Sequence, residues 1–446
     1  MRAQTAAGLQ VLEVNHASAG WANINNLHFP PDLRDIYNFY RELALRWQGQ
    51  IEAFEPWNEA DIKEFGGHTG SEMATLQKAA WLGLKAGNPG LTVCQNVFAI
   101  HRLATLHDFQ DNEAWPYFDT FNLHHYDPLQ DYPRLFQEFR SVSAGKPMWV
   151  TECNVIVQWK DEKTKEPSEA DLRVQSERVT MIYSMDIYEG AQAVFYFMLP
   201  HYVEYQRQYG VLHPDLTPRP AFLAVAAAGR LLADARPLGR VQSINSEMHG
   251  YLFSAKPDGR QTDILVIWSN TNTTFVLQKP PTACFDHLGR ARAVSSNVLK
   301  VSRAPLYFEL AKGTRPALIA PPKPEKLLTG RPGPVVLQAL LPEKDIVLKE
   351  SAYRLPEGRE MIIPVLLYNF GAKTVRGKLK VKTPTRWAAE MAHEVEIEPG
   401  ERKEVRLLLT HPVADGMTNA GIRITGRFGD GGGSPVLAFR LTSSKK

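Results

Sequence analysis

IEAFEPWNE (51–59) and PMWVTE (147–152) each carry a short apolar run that stops on a glutamate, and the reading of these two segments decides the fold. Working outward, four more runs of the same kind appear: LQVLEV (9–14), LTVCQN (91–96), DTFNLHHY (119–126) and AVFYFM (193–198). Segments of helical period fill the gaps. PPDLRDIYNFYRELALRW (30–47) has Pro near its start, and SEMATLQKAAWLGLKAGN (71–88) opens on Ser71, a residue suited to capping, and stops before Pro89. EADLRVQSERVTMIYSMDIYEG (169–190) and RPAFLAVAAAGRLL (219–232) complete the series. Strand followed by helix, repeated, is the pattern of βα units and a parallel sheet, an α/β fold.

A second regime begins near Leu238, where GYLFS, TDILVIW and TFVLQ alternate apolar with polar positions between Asn, Asp, Gly and Pro clusters. Residues 313–334 are rich in Pro and Gly and read as an extended linker. Beyond them VVLQALL, EMIIPVLLYNF, GKLKVKTP and KEVRLLLT alternate again. The expected division is therefore an α/β domain at 1–236, a β-sandwich at 237–312, the linker at 313–334 and an immunoglobulin-like sandwich at 335–446. At 446 residues, several domains are the natural expectation.

The balance of 51 basic and 48 acidic residues, with no basic cluster among interleaved aromatics, argues against a nucleic-acid partner. Cys94, Cys153 and Cys284 are far apart and odd in number, which suggests packing residues and neither a disulfide framework nor a metal cluster. No apolar run is long enough to span a membrane, and the first residues lack the features of a signal peptide. Nothing in the sequence sets the oligomeric state.

Cleaving a glycosidic bond requires one carboxylic acid to protonate the leaving oxygen and a second carboxylate across the anomeric carbon. Glu59 and Glu152 both end apolar strands, where βα folds place their reactive groups, and they are 93 residues apart, leaving room for two intervening strands. Asn58-Glu59 in FEPWNEAD, Glu152 in WVTECN and His124 with Tyr126 in LHHY together resemble the clan of retaining (β/α)8 glycosidases that includes families 5, 10 and 39, nearest to families 39 and 5. YGVLHPDLTPRPAFLAV is similar to the segment leading into the last barrel helix of such families, and the resemblance covers roughly residues 8–235.

The resemblance implies a TIM barrel cleaving β-glycosidic bonds of plant or microbial saccharides with net retention and without a cofactor or metal. Glu59 becomes the general acid/base and Glu152 the nucleophile. Asn58 would hydrogen-bond the sugar 2-hydroxyl, Tyr126 would donate to Glu152, and His124 would line the same pocket. Asn15, His16 and Trp21 are candidates for sugar contacts, and Trp159 and Tyr202 are as well suited to stacking as to packing. Secretion by, or a periplasmic place in, a polysaccharide-degrading bacterium follows from the same likeness. Alternatives are a carbohydrate-binding protein without turnover and a transglycosylase.

Each of these residues has a plainer reading. Glu55 is the rival acid, but its place earlier in the strand suits a buried, hydrogen-bonded residue. His124 and His125 could be read as a metal pair, yet neighbours on a strand point to opposite faces and no third ligand is suitably spaced. Trp57 and Trp149 suit the core. The sequence departs from the clan in having Ala60 where Pro commonly follows the acid, and Cys153 after the nucleophile. AQTAAGLQVLEV reads as the end of a helix, a Gly8 stop and the third strand of the barrel, so the barrel is expected to be N-terminally incomplete. The two βα units unaccounted for correspond to on the order of 60 or more residues, and open strand edges imply a tendency to associate.

Overall fold

The computed structural model describes residues 2–242, 245–356, 358–412, 420–429 and 432–443. They form two compact units, one of Met1–Asn122, Glu138–Pro147 and Glu325–Lys446, the other of Leu123–Gln137 and Met148–Pro324.

In the first unit β1 (Leu12–Val14), β2 (Ala53–Glu55) and β3 (Thr92–Val93) are parallel neighbours, with Leu12 opposite Ala53 and Ala53 opposite Thr92. Cys94 then bridges in parallel to Thr120. Helices α1 (Leu33–Arg46), α2 (Gly70–Gly87) and α3 (Leu103–Asp111) lie between the strands in sequence. Asp32 caps α1 by accepting the Arg34 N–H at 3.0 Å. The cap of α2 is Thr69 and not Ser71: Thr69 accepts from the Glu72 N–H while the Glu72 carboxylate accepts from the Thr69 N–H, so the T-x-x-E spacing outcompetes the later serine.

Residues 335–442 of this unit add two sheets. One holds Val335–Ala339, Glu360–Asn369, Arg402–Thr410 and Ala388–Glu390; the other has six strands, among them Val375–Lys382, Ala420–Phe428 and Val436–Thr442. Alternate residues of both, including Leu337, Val365 and Leu407 from the first and Leu379, Ile424 and Phe439 from the second, share one apolar core. Lys78 of α2 is buried against this module and donates to the carbonyls of Asn112 at 2.6 Å and Val436 at 2.7 Å. Burial pushes its ammonium down to about 7.

In the second unit β5 (Met148–Cys153) pairs in parallel with β6 (Ala191–Tyr196), and β4 (Phe121–His125) lies along the other side of β5. Between and after them come α4 (Tyr132–Val142), α5 (Glu169–Glu189) and α6 (Pro220–Leu231). Ser168 caps α5, and Gly190 ends it at φ 110°, a left-handed conformation that a side chain would strain.

A seven-stranded sheet follows. Leu252, Leu265, Ile267 and Phe308 on one face pack with Leu299 and Val301 of the two-stranded ribbon Thr273–Val276/Val298–Val301. The other face meets α5, where the Tyr307 hydroxyl donates to Thr180 Oγ1 at 3.1 Å. Leu318–Ile319, within the stretch read as a linker, pairs with Arg240 and Val241 as the edge strand of this sheet. Cys94, Cys153 and Cys284 are buried and free. Among the described residues no helix is long and apolar enough to cross a membrane.

Candidate active site

Glu152 lies near the carboxyl end of β5, partly open to solvent. The Tyr126 hydroxyl, just past β4, donates to its Oε2 at 2.6 Å, and His124 Nδ1 stands 3.5 Å from the same oxygen. The alternation of β4 explains this grouping, because His124 faces Glu152 while His125 turns to the opposite side. There His125 Nε2 meets the buried Asp186 of α5 at 3.1 Å, and its ring packs edge-on against Tyr132. Burial raises the Asp186 carboxyl, with the His125 charge opposing.

Aromatic rings gather beside this carboxylate. Tyr126 makes edge contacts with Phe197 and Tyr209, and Tyr202 meets both of the latter at 5.9 Å. Asn154, one residue past β5, holds them in register: its amide donates to the Phe197 and Tyr209 carbonyls while its oxygen accepts from the Tyr196 hydroxyl. The Phe197–Met198 peptide is cis. Val203–Glu204, Arg207–Gln208 and Val157–Gln158 form a small antiparallel sheet, joining the hairpin that carries Tyr202 to the loop that carries Trp159. Tyr202 donates to Glu204 at 2.7 Å, which pushes its phenol up to about 12. The Trp159 ring is covered on one side by the Lys165 ammonium, 3.9 Å from its centroid, and its N–H donates to Tyr205 O at 2.8 Å.

Below the hairpin, Glu166 accepts from the fully buried Arg219 at 2.8 Å and sits 3.2 Å from His213 Nδ1. Arg219 also donates to Gly210 O and lies 3.0 Å from His201 Nδ1. One guanidinium thus ties α6, the hairpin and the loop before α5 together. Arg219→Met leaves Glu166 without its cation and should cost roughly 3 kcal/mol. The expected signs are a lower unfolding midpoint and faster chymotryptic cleavage near Tyr202 and Tyr205; parent-like values in both would contradict this role.

In the first unit the turn after β2 carries Asn58 and Glu59. Trp57 is buried and donates to Phe65 O at 3.2 Å, with Phe29 edge-on to its ring. The Asn58 N–H donates to Asn15 O at 2.8 Å, so the ends of β1 and β2 are joined at this turn. Glu59 is half-buried and has φ +47°, an unusual backbone conformation for a residue with a side chain. Asp61 anchors the turn: fully buried, it accepts from the N–H groups of Ala99 at 2.7 Å and Ile100 at 3.2 Å. Burial raises its carboxyl to about 6, and the Glu59 charge adds to the effect. Glu55 is buried in β2 and accepts from Asn122 Nδ2 at 2.6 Å. His16 is exposed, its ring edge toward Phe65 at 6.4 Å, and Trp21 is 74% exposed.

No protein-family model and no curated protein matches the chain. Solved structures do. A family 39 glycoside hydrolase from the gut symbiont Bacteroides cellulosilyticus superposes with a TM-score of 0.52 at 18% identity, over 70% of this chain and 69% of that one. A family 30 subfamily 8 xylanase from Clostridium acetobutylicum gives 0.50 at 12% identity, over 68% and 80%. The chain has a glycoside-hydrolase fold.

Within that fold the structure groups His124, Tyr126, Glu152 and Tyr202 in one unit, and Asn15, Asn58 and Glu59 in the other. Sequence reasoning passed over Asp61, Asn154, Phe197, Tyr209 and Arg219. Asn154 and Asp61 were legible in principle, each two residues after a chosen glutamate. Tyr209 and Arg219 lie in the quoted YGVLHPDLTPRPAFLAV segment, but nothing in their spacing shows that a hairpin folds back beside Glu152.

Proposed function

We propose that this chain is a retaining β-glycosidase in which Glu152 attacks the anomeric carbon and Glu59 protonates the leaving oxygen, then activates water. The observation that carries the reading is Glu152 itself, a partly open carboxylate at a parallel strand end that accepts a 2.6 Å bond from the Tyr126 phenol. A donor aimed at the ionised form favours the charged carboxylate and fixes the oxygen that is to attack. Double displacement requires Glu59 and Glu152 to meet at one sugar carbon, with about 5–5.5 Å between the carboxyl groups. Asn58 is assigned to the sugar 2-hydroxyl, and His124 to the wall of the same pocket. The scaffold in this reading is a (β/α)8 barrel with β-sandwich modules; the sequence divides it at about 236, 312 and 334, and the Leu318–Ile319 edge strand carries the first sandwich past 312.

Aryl β-xylosides and β-glucosides are the first substrates to try, since one structural neighbour is a xylanase. Proton NMR during the first turnovers should show the β-anomer of the released sugar appearing first. Release of the α-anomer, or no release from any aryl β-glycoside, would overturn the proposal.

Tyr126→Phe separates positioning from chemistry. Losing a hydrogen bond to a charged group costs about 1.5–3 kcal/mol, roughly a 10- to 100-fold loss in kcat/KM. The Tyr126 bond aims the attacking oxygen of Glu152, so its removal should fall on kcat and leave KM near that of the parent. A parent-like kcat would count against a positioning role for Tyr126.

A further inference from the structure

A groove of about 890 Å³ opens in the second unit, within the range of ligand-binding pockets (roughly 300–1,000 Å³), and it begins at Tyr126 and Asn154. One wall is the α5 face that carries Glu177 and Arg178; the other is the exposed end of the seven-stranded sheet. Strand register builds the second wall. His249 stands opposite Trp268, their rings stacked at 5.3 Å, and Tyr251 lies 5.5 Å from the same indole. Arg240 pairs across the strand with Tyr251 and so reaches the same face.

Charge in this groove is uneven. Arg178, Arg240 and Arg303 all line it and are exposed. Glu177 lies 3.7 Å from Arg303. Among the described residues Arg178 and Arg240 have no carboxylate within ion-pairing distance, although Asp127 lines the groove as well. Arg240 also helps, after burial, to hold His249 below the usual histidine range, which keeps that ring neutral and able to accept a hydrogen bond. Two guanidinium forks with no carboxylate partner among the described residues, beside the stacked His249 and Trp268 rings, suit a planar or tetrahedral oxyanion carried on a ring rich in hydroxyls.

We infer that the groove binds an acidic saccharide, with Arg178 and Arg240 taking its carboxylate or sulfate group and the sugar chain running toward Tyr126. The saccharide part of this inference rests on the glycosidase reading; the anion part does not.

Binding to the full chain carrying Glu152→Gln, which needs no turnover, tests it by calorimetry at low and physiological salt. Four ligands are compared: a uronate-bearing xylo-oligosaccharide, a sulfated oligosaccharide, the neutral xylo-oligosaccharide and free sulfate. The acidic oligosaccharides, or one of the two, should bind at least about tenfold more tightly than both the neutral chain and free sulfate. Arg178→Gln with Arg240→Gln should remove that preference and leave the unfolding midpoint unchanged, because both side chains are exposed. Whichever acidic oligosaccharide binds identifies the anion. Equal binding of acidic and neutral chains, or a preference that survives the double substitution, overturns the inference. Free sulfate binding as tightly as the oligosaccharides reduces the groove to a simple anion site and overturns the saccharide part. Absence of glycosidase activity in the parent, with the acidic preference intact, would remove the catalytic reading and leave the groove standing.

Discussion

Glu152→Gln is expected to lower turnover of aryl β-glycosides by at least about 10⁴-fold, because it removes the atom that forms the covalent bond and not merely a contact that steadies it. The amide is close in shape to the carboxylate, and Tyr126, His124 and Asn154 hold the strand end without needing its charge, so the unfolding midpoint should stay near that of the parent. Glu152→Ala should recover activity in azide, since the small anion fills the vacated space and attacks the same face, giving a glycosyl azide of inverted configuration. Loss of activity together with loss of the folded state would be a structural effect. Unchanged turnover in a folded Glu152→Gln protein would rule the residue out as nucleophile.

Glu59→Gln should behave differently. General acid–base catalysis contributes about 10²- to 10⁴-fold, and its share of the first step depends on the leaving group. A dinitrophenolate departs without a proton, so its first step should be nearly unaffected, whereas an alkoxide leaving group should suffer the full loss. The second step still needs a base for water, so a burst of dinitrophenolate followed by a slow steady state is the expected trace. A loss independent of the leaving group would place Glu59 outside the proton transfer.

Much of this architecture was readable from residue order. The six apolar runs at 9–14, 51–56, 91–96, 119–126, 147–152 and 193–198 each overlap a strand, ending in the structure at Val14, Glu55, Val93, His125, Cys153 and Tyr196, because each run is short and bounded by turn residues. α1, α2, α5 and α6 all fall within the four segments read as helical, although the caps Asp32, Thr69 and Ser168 were not picked out. α3 (Leu103–Asp111) and α4 (Tyr132–Val142) were missed: the first is short and has no side-chain cap, and the second starts with Pro133 in its first turn immediately after a 3-10 turn. The β segments after Leu238 were recognisable as strands, but their partners were not. A period-two pattern marks a face without naming its neighbour, so neither the pairing of Leu318–Ile319 with Arg240 nor the α5 packing of Tyr307 could be foreseen.

At the site, the Tyr126 and His124 spacing placed both on one side of β4, a local inference of the kind that period two supports. Arg219, Tyr209 and the Arg178/Arg240 groove depend on chain reversals and on segments far apart in sequence. No local spacing carries that information.

The most direct test is to trap the intermediate. A 2-deoxy-2-fluoro β-glycoside with a good leaving group should inactivate the protein with loss of one equivalent of leaving group, and peptide mass mapping should find the fluorosugar ester on Glu152. An adduct on Glu55, Glu59 or any other carboxylate, or turnover that proceeds with inversion and leaves no adduct, would contradict the account.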